Sequence, residues 1–329
     1  MESNIRKMPD SIGGVRFREV TGSDAEAMAS IHSRRRERDG VDAASTFESI
    51  PTVDQVAGWL TWRSSAEMVG TLIGAEVDGR IVGYTWLDWW TEKDGVRLYL
   101  SQAVVDPAYR GLGVGTSMVR WAEETLRRKA MDDGGLDRAF YGANAAETER
   151  DATSLLIDHG YVESFAVVEM LRDSCEVDDF VLPAGVELRP LLEEHLLEVG
   201  RSVTAAYAES VFSVEVSEQQ DETQVKWLRG FDPSLCFVAW AGDQVAGQVI
   251  CRVERGRVEL AEVSVGKEWR RRGIASGLIS SALRNCHEIG VPSARLHTVR
   301  ENRYASIVLY EGLGFRVIKK HLRYRKPMD

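Results

Sequence analysis

The chain has 329 residues and a formal net charge of −10, which suits two domains of ordinary size and argues against bulk binding to nucleic acid or to an acidic membrane surface. No apolar stretch approaches the length of a membrane span, and residues 1–10 lack the apolar core of a signal peptide. The four cysteines show neither metal-ligand nor disulfide spacing, so we expect no metal and a reducing, cytoplasmic location. They are Cys175, Cys236, Cys251 and Cys286.

Four landmarks occur twice along the chain in the same order: a first strand, a hairpin, a glycine-bearing loop, and a helix that ends in glycine and an aromatic residue. Their positions are 14–19, 77–83, 103–115 and 155–161 in the first copy, and 185–190, 241–247, 263–275 and 309–315 in the second. Such duplication indicates two copies of one domain. We predict domains at residues 1–175 and 183–329, with the boundary in the acidic, turn-like stretch 173–184.

Each copy has the same predicted order of elements. A first strand leads into helices, a run of antiparallel strands, and then the glycine loop with its amphipathic helix. A further strand, a helix and a last strand complete the copy. This order predicts the α/β class, with a mixed sheet of the α+β type in each of two consecutive domains.

The glycine loop follows an apolar strand pattern and opens a helix in both copies. Its pattern is Arg-x-x-Gly-x-Gly/Ala, present as Arg110, Gly113 and Gly115 and again as Arg270, Gly273 and Ala275. Backbone N–H groups and the positive helix end then converge on one spot, which suits a pyrophosphate. A dinucleotide fold is disfavoured because the first copy lacks the downstream acidic residue and βαβ context, and a P-loop because neither copy has Gly-Lys-Ser/Thr.

The loop resembles the acetyl-CoA loop of the GNAT (GCN5-related) N-acyltransferases, and the resemblance covers nearly the whole chain as two consecutive domains. It implies two acyl-CoA N-acyltransferase domains that use acetyl-CoA to acetylate a primary amine of a small molecule. Tandem members include mycothiol-synthase-like enzymes, to which residues 301–310 are similar in spacing. The implied cofactor contacts are Val263, Val265, Arg270, Arg271, Arg272, Gly273, Ile274, Ala275, Ser276 and Asn302 in the second copy, and Val105, Arg110, Gly111, Gly113, Val114, Gly115 and Thr116 in the first.

Acetyl transfer to an amine requires a base for the amine and an acid for the departing thiolate. The resemblance implies Tyr310 as the acid, and its alternative is a ring that packs on the apolar side of its helix. For the base, the resemblance implies Glu259, which lies, counting back from Arg270, where the histone-acetylating branch of the family places its catalytic Glu. Glu262 lies three residues further on, and His297 lies on the next strand, where some members carry an acidic base. Since Glu259 and Glu262 point to opposite faces of a regular strand unless a bulge intervenes, all three candidates stay open.

In the first copy the same count gives Tyr99, Gln102 and Leu156 in place of Glu259, Glu262 and Tyr310. We therefore expect chemistry in the second copy, with the first holding cofactor or bracing its neighbour. The alternative function is a non-catalytic protein that binds or senses acyl-CoA. The oligomeric state is left open.

Overall fold

The computed structural model describes residues 8–9, 11, 14–45, 47–48, 50–64, 70–92, 94–178, 180–207, 218–302 and 304–329. The chain forms two compact units. The first unit comprises Met1–Thr91, Gly95–Phe165 and His321–Asp329, and the second comprises Glu92–Asp94 and Ala166–Lys320. These units are defined by packing, and the predicted bounds 1–175 and 183–329, which describe sequence repeats, stay a prediction.

Each unit contains helices and strands in the same order along the chain, and two of the strands belong partly to each unit. The first unit holds β1 (Arg16–Glu19), α1 (Ala25–Arg38), α2 (Val53–Arg63), β2 (Leu72–Val77), β3 (Arg80–Thr91), β4 (Arg97–Val105), α3 (Val114–Asp132), β5 (Ala139–Ala146) and α4 (Arg150–Asp158). Strand β6 (Val162–Arg172) enters the second unit at Ala166. The second unit holds β7 (Glu187–Pro190), α5 (Leu196–Ala206), α6 (Glu218–Leu228), β8 (Cys236–Ala241), β9 (Gln244–Glu254), β10 (Arg257–Val265), α7 (Ile274–Glu288), β11 (Ala294–Val299) and α8 (Ser306–Gly312). Strand β12 (Arg316–Pro327) returns to the first unit at His321.

Each unit has a mixed sheet with one parallel pair beside the glycine loop. In the first unit the order is β1-β2-β3-β4-β5-β12, and β4 and β5 run parallel. In the second it is β6-β11-β10-β9-β8-β7, and β10 and β11 run parallel. The remaining pairs with a described register are antiparallel. The predicted α/β fold with a mixed sheet in each copy is confirmed.

The two sequence copies exchange their last strands between the units. The C-terminal half of β12 pairs with β5 in the first unit, from His321 opposite Ala146 to Pro327 opposite Phe140. Strand β6, the last of the first copy, pairs with β11 in the second unit. A strand that completes a sheet satisfies the backbone hydrogen bonds of its neighbour, so each unit depends on a segment from the other copy.

The sheet of the second unit is covered on both faces. Helix α7 packs on β8, β9 and β10 through apolar residues that include Leu278, Ile279 and Leu283, all fully buried. On the opposite face, Val199 of α5 packs with Ile250 of β9 in a second core. Burial of each such side chain stabilises the fold by about 1.5–3 kcal/mol, so both faces fix the position of β10 between them.

Among the described helices, none is long and apolar enough to cross a bilayer. The four cysteines, scattered in sequence, are all free, buried and within the second unit. Burial raises their pKa values, for Cys236 to about 11 and for Cys286 to about 12. Thiols with such pKa values are inert.

Candidate active site

Strand β10 carries a bulge, and its pairing with β11 ends beside that bulge. The parallel register runs from Val258 opposite Ala294 to Leu260 opposite Leu296. The antiparallel register with β9 shifts between Leu260 and Glu262, which leaves Ala261 as the extra residue. A bulge bends its strand and re-aims the side chains that follow it. Strands β10 and β11 therefore separate just before the glycine loop.

The bulge places both candidate glutamates on one face of the sheet. Leu260 belongs to the core beneath α7, whereas Ala261 packs on the core beneath α5. Beyond the bulge, Glu262 lies opposite Ile250, which is also in the α5 core, and so faces α5 as Glu259 does. The choice between the two is therefore decided by their surroundings.

Glu262 is a half-buried residue whose carboxylate has an unusual environment. Its Oε2 accepts a hydrogen bond from the Tyr207 hydroxyl at 3.2 Å, and its Oε1 is shielded from solvent with no hydrogen-bond partner among the described residues. Burial raises the pKa of Glu262 from 4.5 to about 7, against the lowering effect of hydrogen bonds from Ser264 and Tyr207. A general base is most effective when its pKa lies near the working pH.

Tyr310 lies on α8 within the α7 core, so its ring packs on the apolar side of the helix, and its role as the acid stays a prediction. Its ring packs edge-on to Phe315 with centroids 6.1 Å apart, and the residue is 7% exposed. Burial, and next the charge of Glu262, raise the pKa of the phenol well above its ordinary value. The hydroxyl therefore stays protonated at neutral pH, as a proton donor must.

Glu259 and His297 belong to a different cluster on the same face. The carboxylate of Glu259 is held by Arg252 at 2.5 Å. The ring of His297 lies 3.9 Å from Glu259 on one side and 3.9 Å from Glu169 on the other, and Glu169 is paired with buried Arg295. The carboxylate of Glu259 is therefore already engaged in an ion pair, whereas that of Glu262 is not paired with any described cation.

The second glycine loop has the backbone of an anion cradle. Arg271 and Gly273 both have positive φ, of 62° and 83°. The amide of Gly277 donates to the carbonyl of Gly273 at 3.0 Å, so the amides of the first turn of α7 have no acceptor one turn back within the helix. Alternation of left-handed residues ahead of a helix start directs N–H groups to one point. The exposed Arg271 and Arg272 add positive charge there.

Linker residues lie directly against this loop. A Cβ on Gly273 would lie 3.2 Å from Phe180 Cζ, and one on Gly277 would lie 2.6 Å from Leu182 Cδ2. Only glycine fits at these two positions without displacement of the linker. The predicted boundary segment therefore helps to shape the loop.

The other predicted cofactor residues of the second unit differ in what they offer. Arg270 is turned away from the cradle, because its guanidinium donates to the carbonyls of Val265 and Ala206 and stacks on Tyr304 at 4.2 Å. The side chain of Asn302 accepts from the Tyr304 amide at 2.8 Å. Val263, Val265 and Ile274 pack in the α7 core, and Ala275 and Ser276 are half-buried in the first turn of α7. Cofactor contacts by these residues stay a prediction, and for Ile274 they are restricted to its main chain.

The first glycine loop has a backbone conformation like that of the second, but it presents less positive charge. Gly111 and Gly113 have positive φ of 75° and 85°. Arg110 is held by two carboxylates, Asp39 at 2.6 Å and Asp151 at 3.1 Å. The remaining predicted residues of this loop are half-buried Val105, fully buried Val114, and Gly115 and Thr116 in the first turn of α3. This loop thus presents less positive charge to an anion than the second one.

The proton-handling groups of the second unit have no counterparts in the first. Strand β4 pairs with β3 without a register shift, so the bulge is absent from that described pair. Gln102 is a neutral amide that accepts from Asn144 at 3.5 Å, and Tyr99 donates to Asp133 at 3.0 Å. Leu156 is a buried apolar residue.

Sequence inspection missed His32 in the first unit and Tyr207 in the second. His32 hydrogen-bonds the Tyr84 hydroxyl at 2.5 Å, and burial followed by the charge of Arg35 lowers its pKa to about 4. A histidine of that pKa is a poor base for an ammonium group. Tyr207 directly follows α5 and is far in sequence from Glu262, so no spacing rule could have linked it to the site.

Comparison with known proteins agrees with this geometry. A model of the acetyltransferase (GNAT) family matches residues 35–143 and 202–315, which together make up more than half of the chain. The mycothiol acetyltransferase of Streptomyces scabiei (strain 87.22) is 25% identical over 256 residues, covering 74% of this chain and 76% of that protein. A GCN5-related N-acetyltransferase from Sphaerobacter thermophilus superposes with a TM-score of 0.73 at 20% identity, over 97% of this chain and 96% of the other. For a tandem GNAT protein from the clavulanic acid biosynthesis pathway the TM-score is 0.65 at 16% identity, over 96% of this chain and 100% of the other. With two matched domains, the chain belongs to the GNAT acetyltransferase family and is a tandem acyltransferase of that kind.

Proposed function

We propose that the second unit transfers an acetyl group from acetyl-CoA to a primary amine of a small molecule, with Glu262 as base and Tyr310 as acid. The first unit supports the second and lacks catalysis of its own. The observation that carries the proposal is the Glu262 carboxylate, which the bulge places just before the glycine loop and whose Oε1 is shielded without a hydrogen-bond partner among the described residues. The charge of this carboxylate also acts on the buried phenol of Tyr310.

The residues of the second glycine loop fit the pyrophosphate of acetyl-CoA. The left-handed Arg271 and Gly273 form a cradle ahead of α7, and a Cβ on Gly273 would lie 3.2 Å from Phe180 Cζ. The cofactor supplies an acyl group already activated as a thioester, so no nucleophilic side chain is needed. The separation of β10 from β11 leaves backbone groups beside Glu262 free of that strand pairing.

The chain's own residues then move two protons. The nitrogen of the neutral amine forms its bond to the thioester carbon as the carbon–sulfur bond breaks. The nitrogen then releases one proton to Oε1 of Glu262, which has no hydrogen-bond partner among the described residues. Tyr310 donates its phenolic proton to the departing sulfur. The products are the acetylated amine and the free thiol, and proton exchange with solvent restores both side chains.

A small amine as acceptor is supported by two findings. The net charge of −10 favours cationic ligands over polyanions. The mycothiol acetyltransferase, whose name indicates a small-molecule product, matches three quarters of the chain. We therefore propose a small-molecule amine and no nucleic acid or membrane as partner, with a cytoplasmic location.

The proposal is tested by thiol release from acetyl-CoA with a panel of primary amines. Tyr310→Phe keeps the ring that packs on Phe315 and should lower kcat by roughly 10²-fold or more. Tyr324→Phe in the first unit, another buried tyrosine, is the matched control and should leave kcat unchanged. Glu262→Gln should lower kcat/KM at least as strongly. Glu259→Gln should change the activity only as far as it lowers the stability of the fold.

Three outcomes would contradict parts of this proposal. Wild-type turnover in Tyr310→Phe would mean that Tyr310 only packs in the core. Loss of activity in Glu259→Gln with a normal Glu262→Gln moves the base to the Arg252 cluster. Tight calorimetric binding of acetyl-CoA without thiol release on any amine points to a sensing protein.

A further inference from the structure

A chain of side-chain hydrogen bonds leads to Ser264, two residues beyond Glu262 on β10. The Ser202 hydroxyl on α5 donates to Oε1 of Gln248 on β9 at 3.3 Å. The Nε2 of Gln248 donates to the Ser264 hydroxyl on β10. Gln248 is fully buried and Ser264 is 7% exposed. The bonds therefore have one direction, from α5 across β9 to β10.

That direction determines what Ser264 can do. Its oxygen already accepts from Gln248, so its own O–H is available to donate. Glu262 lies two residues away on the same face of β10, and Ser264 is among the groups that lower the pKa of its carboxylate. Tyr207 adds a second donor to the same carboxylate, at Oε2. A carboxylate fixed by two O–H donors is held in one orientation and stabilised in its charged form. Oε1, for which the described part of the chain provides no hydrogen-bond partner, then has a fixed direction.

The first unit has apolar or mismatched groups at the corresponding places. By the strand register, Tyr84 stands where Gln248 stands, and Val104 where Ser264 stands. Tyr84 bonds His32 instead, and Val104 has no group that could donate to Gln102. The hydrogen-bond chain therefore occurs together with the carboxylate and is missing where an amide replaces it.

We propose that Tyr207, Ser264 and Gln248 are positioning residues that orient the Glu262 carboxylate and favour its charged form. This inference rests on the proposed function, in which Glu262 is the base. Gln248 acts through Ser264, because its amide fixes the direction of the Ser264 O–H. Tyr207 acts directly and leaves Oε1 to the amine.

The groups that face Glu262 come from each element around it. Tyr207 follows α5, Ser264 is on β10 itself, and Tyr310 comes from α8, where its phenol stays neutral. The cross-strand partner on β9 is the apolar Ile250. None of these described groups carries a positive charge, so the two O–H donors are what offsets the cost of burying the carboxylate.

The test is the pH dependence of kcat/KM for acetyl transfer by the full chain. Tyr207→Phe and Ser264→Ala each remove a donor from the charged form, so the acidic limb should move to higher pH by about half to one unit. The rate at pH 6.5 should fall several-fold and return toward the wild-type plateau above pH 9. Tyr84→Phe, at the matching position of the first unit, is the control and should leave the limb in place.

Two further variants separate this inference from the proposed function. Gln248→Glu places an acceptor opposite Ser264 and should shift the acidic limb of the kcat/KM profile. Ser264→Thr retains the hydroxyl and should keep the wild-type profile. A uniform loss of rate in Tyr207→Phe and Ser264→Ala, with the limb unmoved, would overturn the positioning role. If instead Glu262→Gln keeps an unaltered acidic limb, the base itself is misassigned and the proposed function fails first.

Discussion

The charge of Glu262 on β10 raises the pKa of the Tyr310 phenol on α8. The base and the acid of the proposed reaction are thus coupled electrostatically. When Glu262 takes up the proton of the amine, the charge that disfavours ionisation of Tyr310 disappears. The phenol becomes a stronger acid at the stage of the reaction at which the thiolate leaves.

Glu262→Gln should stabilise the protein in a pH-dependent way. The pKa of Glu262 is raised on folding from 4.5 to about 7, so the folded state binds more protons than the unfolded state between these values and stability falls as pH rises through them. The glutamine variant avoids this loss, by about 2–3 kcal/mol at pH 8 and little at pH 4.5. Urea unfolding at both pH values measures it. An equal effect at the two pH values would contradict the raised pKa of the Glu262 carboxylate.

Gly273→Asp should weaken acetyl-CoA binding by more than about tenfold, because it places a negative charge in the cradle and a Cβ against Phe180. Isothermal titration calorimetry measures the affinity. Gly256→Asp is the control: Gly256 also has positive φ, of 74°, but its Cβ would contact nothing within 4 Å. A folded Gly273→Asp protein with unchanged affinity would exclude this loop from the cofactor site.

The two glycine loops should contribute unequally to catalysis. Gly113→Asp, in the loop where Arg110 is held by Asp39 and Asp151, should leave most acetyl transfer intact, whereas Gly273→Asp should abolish it at ordinary acetyl-CoA concentrations. Both variants are assayed with one amine, and circular dichroism checks their folding. An inactive Gly113→Asp beside a normal Gly273→Asp would reverse the assignment of the catalytic unit.

Substitutions along β12 should affect different units according to their position. Tyr324 is 3% exposed and pairs with Ala143, so Tyr324→Ala should cost about 3 kcal/mol or more in the first unit. Hydrogen exchange should then accelerate in β5 and stay slow in β10. Val317 packs on the α7 core, so Val317→Ala should show the opposite pattern. Acceleration of β10 alone by Tyr324→Ala is the result that would speak against the exchanged strand.

Local signals in the sequence predicted the fold and the loops well. The glycine loops and hairpins are specified by short runs of residues whose backbone preferences are strong, as at Gly113 and Gly273. The fold class followed from the order of these elements. The same signals left three candidates for the base, because the face of Glu262 depends on a bulge at Ala261 that no residue type in the strand requires.

Contacts between residues far apart in the chain could not be predicted from the sequence, for a physical reason. Tyr207 reaches Glu262 only after α5 has packed on β10, and Gln248 gains its role from partners on two other elements. The exchange of β6 and β12 between the units was also missed. A repeat unit read as strand, helix and strand predicts a last strand but gives no information about which sheet it joins.

The exchange of last strands has a consequence for biosynthesis. The first unit acquires its closing strand only when His321–Asp329 has been made, about 155 residues after the end of its main body at Phe165. At roughly 5–20 residues per second, this delay is on the order of 10 to 30 s. Throughout that time β5 presents an unpaired edge, which is the feature most prone to association with other chains. We therefore expect the yield of folded protein to fall when translation of the second half of the chain is slowed.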